Sequence, residues 1–103
     1  MSNLQQDKPV WDIIMSLVHE RGMQGPCTLE NTVSAANEID HTTGELTPRR
    51  HRIGKMIYWI CIAIRNAEEN ASGKGQYHGI PESKIEWLRG IEGKLFEQLE
   101  VRP

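Results

Sequence analysis

A chain of 103 residues with 38% hydrophobic and 25% charged side chains has ordinary globular composition and room for one core, not two. Its 12 Lys and Arg against 14 Asp and Glu leave a net charge of −2, so any nucleic-acid contact must come from a local patch and not from the chain as a whole. The cysteines, Cys27 and Cys61, are too few for a disulfide framework, and the longest apolar run, Met56 to Ile64, is too short to span a bilayer. The expectation is a reduced, cytoplasmic protein with no leader segment and no membrane partner.

Residues 1–6 read as a flexible polar tail and 7–101 as a single helical domain. Asp7 suits an N-cap, Pro9 the first turn, and Val10, Trp11, Ile14, Leu17 and Val18 recur at helical spacing, predicting a helix from about Lys8 to Arg21 that Gly22 closes. After the turn-rich Gly22 to Cys27, Thr28 can cap a short second helix with Leu29, Val33, Ala36 and Ile39 on one face. Its Thr, Asn and Ser content gives it low propensity, so packing must hold it.

A polar loop over 40–46 leads to Thr47 as N-cap and Pro48 at the first helical position. From there Ile53, Met56, Ile57, Ile60, Cys61 and Ile64 make a stripe, while Tyr58, Trp59 and Ile62 occupy the other faces. A helix apolar nearly all round is a central one. Residues 71–79 carry three glycines and read as a mobile loop. Pro81 opens the last helix, with Ile85, Leu88, Ile91, Leu95 and Leu99 on its buried face and Glu82, Glu86, Glu97 and Glu100 outside. Gly90 and Gly93 each cost this helix about 1 kcal/mol relative to alanine, and together they loosen it or let another backbone approach. The fold class is all-α: a single compact domain of about four helices around a central apolar helix at about 47–70.

One stretch departs from this pattern. TPRRHRIGK, Thr47 to Lys55, places Arg49, Arg50, His51 and Arg52 in the first turn of a helix, where the macrodipole and the unpaired amides favour acids. The residues four further on are Ile53, Gly54, Lys55 and Met56, so no carboxylate along the helix pairs with these arginines. Such a turn attracts an anion. Either glutamates of the last helix, or Asp40 and Glu45 in the preceding loop, neutralise it internally, or a partner supplies the anion.

The leading functional expectation is a small non-enzymatic regulatory or inhibitor-type protein acting on another protein. Arg49, Arg50, Arg52 and Lys55 would engage an acidic surface, and Tyr77 and Trp87 would serve as apolar contacts. A first alternative is a DNA-binding regulator with a helix-turn-helix-like region over 28–58, weakened by a connection longer than the usual tight turn. A second is a binder of a small phosphorylated nucleotide at the same basic turn. A homodimer suits the DNA reading, because one short helix end offers little contact area, and Trp87, Gly90 and Gly93 broaden the surface of the last helix for such a contact. The four histidines and two cysteines lack the paired spacing of a zinc site, Gly73 to Gly75 lacks the context of a phosphate loop, and no base is singled out for a nucleophile. No catalytic residue, metal or cofactor is expected.

Overall fold

The computed structural model describes residues 4–20, 28–73 and 80–100. Among them the chain forms four α-helices and no strand: α1 (Lys8–His19), α2 (Thr28–Ala36), α3 (Arg49–Ala71) and α4 (Ile85–Glu100), with short 3₁₀ turns at Leu4–Gln6 and Glu82–Lys84. This is an all-α single domain. Helix α3 is its central element, with α2 and α4 as its main packing partners, and α1 lies against α2 and α4.

The core follows the apolar spacing closely. Ile53, Met56, Ile60, Ala63 and Ala67 of α3 are buried and meet Val10, Ile14 and Leu17 of α1 and Leu88, Ile91 and Leu95 of α4 in one cluster. The helix expected at 8–21 ends at His19, since Glu20 is already extended; Gly22 and Cys27 lie outside the described residues. The tail boundary also moves, because Leu4 is buried and the Asp7 amide donates to the Leu4 carbonyl at 3.0 Å. An apolar side chain four residues before α1 has enough core contact to order the turn that carries it.

Three expectations of burial fail, the first at Val18, which lies in the apolar spacing of α1 but is 55% exposed. The apolar spacing puts Ile39 on the inner face of the second helix, but α2 stops at Ala36 and Ile39 is 49% exposed. Residues 37–48 instead fold back on themselves. Ile39 and Leu46 make an antiparallel bridge, the Asp40 amide donates to the Glu45 carbonyl, and Gly44 turns the chain at φ +72°, a conformation that L side chains rarely adopt. Tyr58 is 59% exposed, so α3 is not apolar on every covered side. Its edge rests on the Trp59 ring at 5.1 Å between centroids.

Candidate functional site

The basic turn begins one residue later than the sequence suggests. Pro48 occupies the N-cap, Arg49 opens α3, and the Thr47 hydroxyl is buried without a partner among the described residues. The fold brings the C-terminal ends of two other helices to this turn. Those ends carry carbonyls that no amide of their own helix can satisfy, and partial negative charge with them.

Arg49 takes the end of α4. Its Nη1 donates to the Gln98 carbonyl at 2.6 Å and its Nη2 to the Gln98 side-chain oxygen at 2.6 Å, while its Nε is on the Asp7 carboxylate. Arg52 takes the end of α2. It is 5% exposed, with Nη1 donating to the Ala36 carbonyl at 3.1 Å and Nε to the Thr47 carbonyl at 2.8 Å. Burial pushes the Arg52 guanidinium below its ordinary value, the nearby Asp7 opposes that, and Arg49 reinforces it. Two arginines at the positive end of one helix thus satisfy the negative ends of two others.

Glu38, two residues past α2, serves Lys55 and His51. Lys55 Nζ donates to its Oε2, and His51 Nε2 lies 3.2 Å from its Oε1. The Lys55 ammonium holds the Glu38 carboxyl below its usual range, with His51 helping. Among the described residues, the anions of the basic turn are therefore Asp7 and Glu38. Asp40 is spent on its own turn, its Oδ1 accepting from the Thr42 amide at 2.8 Å and the Thr42 hydroxyl at 2.5 Å. No α4 glutamate pairs with the arginines of this turn among the described residues; α4 reaches Arg49 through Gln98.

Arg50 is the exception. It is exposed and makes no ion pair among the described residues, and it lines a recess of about 460 Å³ with Phe96, Leu99 and Glu100. Phe96 is 48% exposed. A second recess on the same α3–α4 seam, about 410 Å³, is lined by Cys61, Ile64, Arg65, Glu68, Arg89 and Glu92. There the Cys61 thiol donates to Glu92 Oε2 at 2.8 Å, and burial together with that carboxylate pushes the thiol up to about 11. A protonated thiol on a carboxylate is a poor nucleophile.

Trp87 is half-buried against the core, with Lys84 Nζ 6.0 Å from its ring centroid and the same ammonium 2.8 Å from Glu20. Tyr77 lies outside the described residues. Among the described residues no group of three or more His, Cys, Asp or Glu side chains could hold a metal ion, and no helix is long and apolar enough to cross a membrane.

The basic charge of this turn is legible in the sequence, but the contacts that use it are not. Asp7 reads as a cap, yet its carboxylate serves a guanidinium 42 residues away, and nothing local announces such a pairing. Phe96 had a readable signal: it falls beside Leu95 and off the Leu88, Ile91 and Leu95 face, where a large apolar side chain has no core to enter. No family model, curated protein or solved structure matches the chain.

Proposed function

We propose that this all-α domain is a small non-enzymatic regulatory or inhibitor-type protein that acts by contact with another protein, through the outward face at the start of α3. The observation that carries this reading is Arg50: a guanidinium without an ion pair among the described residues, beside the exposed Phe96 ring and the Leu99 side chain. Arginine next to an aromatic ring is the composition that concentrates binding energy at protein interfaces. Lys55 and His51, both on the surface, extend the face, and a partner carboxylate would compete with Glu38 for them. Arg49 and Arg52 support this face by holding α4 and α2 against it.

The DNA alternative loses two of the cations it would use, since Arg49 and Arg52 are turned inward. It also faces a connection over residues 37–48 that is longer than a helix-turn-helix turn. A nucleotide phosphate would have Arg50 as the one guanidinium of this turn not already engaged by a carboxylate or a carbonyl among the described residues. The test is capture from lysate of the source cells by immobilised wild type and by Arg50→Glu, each with and without nuclease. Loss of a nuclease-resistant protein partner in the variant is the expected result. A variant that keeps its full set of partners overturns the assignment of the face, and capture abolished by nuclease overturns the protein-partner reading.

A further inference from the structure

The α3–α4 seam has a property that its two recesses show separately. In each recess α3 supplies an arginine and α4 a glutamate: Arg50 with Glu100 in one, Arg65 with Glu92 in the other. Arg50 and Glu100 make no ion pair with each other or with another described residue, and Arg65 makes none either. Along the same two helices α3 carries Gly54 and the exposed Tyr58, and α4 carries Gly93 and the exposed Phe96, the last lining the first recess. A Cβ built on either glycine would meet nothing within 4 Å, so no contact among the described residues requires a glycine at either place. The charge of the two helices is also unequal. Residues 49–71 carry five basic and two acidic side chains, whereas 85–100 carry four acidic and two basic.

We infer that the acidic partner surface for Arg50 is α4 of a second copy of this chain. This rests on the functional reading above and names its partner. A two-fold axis running parallel to the helices lays α3 of one copy on α4 of the other at the same level. Because α3 and α4 lie side by side with Arg50 and Glu100 at one level, that operation sets Arg50 against the partner's Glu100. It also sets each aromatic side chain toward a glycine of the opposite helix, where the missing Cβ admits close approach. The same patch serves both copies, which is the requirement for a closed isologous dimer, and aromatic anchors flanked by opposite charges give it both energy and register.

The test is sedimentation of the full chain at low salt over about 1 μM to 1 mM, comparing wild type, Arg50→Glu, Glu100→Arg and the double variant carrying both. Both positions are exposed, so the variants should fold, and far-ultraviolet circular dichroism checks that they do. Wild type should dimerise within this range. Each single variant should weaken the dimer by about tenfold or more by opposing like charges twice per dimer, and the double variant, with the pair reversed, should regain it. A wild type that stays monomeric throughout, or a double variant no stronger than the singles, overturns the inference. Titration with a glutamate-rich helical peptide then separates the two claims. Where the wild type is monomeric, Arg50-dependent peptide binding removes the second copy as partner but leaves the acidic-partner reading standing, and no binding by that monomer removes both.

Discussion

Replacing Arg52 tests whether the arginines of the α3 start hold the fold together. The guanidinium is buried and makes two charge-assisted bonds, to the Ala36 carbonyl at 3.1 Å and the Thr47 carbonyl at 2.8 Å, which tie the end of α2 and the end of the 37–48 connection to α3. Each such bond is worth about 1.5–3 kcal/mol, and removing the donor takes it from one buried and one part-buried carbonyl. Release of the desolvated charge offsets part of this, so Arg52→Ala should cost about 3–5 kcal/mol. Arg52→Met keeps the stem packed and removes the charge, and should cost about 1–3 kcal/mol. Arg52→Lys should resemble Met, because one ammonium cannot present the fork that reaches both carbonyls. Urea unfolding followed by tryptophan fluorescence reads these differences directly. With a slope of about 1–1.5 kcal/mol per molar for a chain of this size, Arg52→Ala should lower the midpoint by roughly 2–5 M. If alanine and methionine both cost under about 1 kcal/mol, or lysine fully replaces arginine, the two bonds do not hold the junction.

The same geometry separates Arg49 from its neighbour: Arg49→Glu should destabilise by about 2 kcal/mol or more by facing Asp7 and the α4 carboxyl end with a third negative charge, and Arg50→Glu should stay within about 0.5 kcal/mol, both read from thermal melts. Gly90→Ala should stabilise the fold by up to about 1 kcal/mol, because a Cβ there meets nothing within 4 Å; a loss of stability in denaturant titration would mean that the position is crowded after all. On a Cys27→Ser background, the alkylation rate of Cys61 should rise toward pH 11 instead of near 9.0, and Glu92→Gln should move that rise downward. Because the unfolded thiol ionises first, folding stability from this group is unaffected below pH 9 and falls as pH climbs from 9 toward 11, which unfolding at stepped pH would register.

The helices were legible because their apolar spacing matches what they bury. Ile53, Met56 and Ile60 on α3 and Leu88, Ile91 and Leu95 on α4 mark their inner faces by period alone. Ile39 misled because three-residue spacing continues past a point where the chain has already turned at Asn37 and Glu38. Helix ends depend on competing hydrogen bonds, which a periodic pattern does not record. Asp7 shows the same limit more sharply. Two residues before Pro9, its carboxylate is placed to cap α1, but it makes no side-chain cap bond and goes to Arg49. A charged bond to a guanidinium outweighs one to a helix amide, and only the tertiary fold brings that guanidinium near.

The concentration of positive charge at the start of α3 therefore has two origins that mutation can confuse. Arg49 and Arg52 are placed where a helix end should repel them because the C-termini of α4 and α2 arrive at the same point, and their combined negative ends exceed the repulsion from one N-terminus. Arg50 shares their local sequence and their unfavourable helix end but none of their internal contacts. A lost interaction in an Arg49 or Arg52 variant consequently reports on the fold as much as on any interface, and a double substitution of Arg49 with Arg50 cannot tell them apart. Arg50 alone can be reversed without loosening α2 or α4, so a binding defect in Arg50→Glu with an unchanged melting curve isolates recognition from stability.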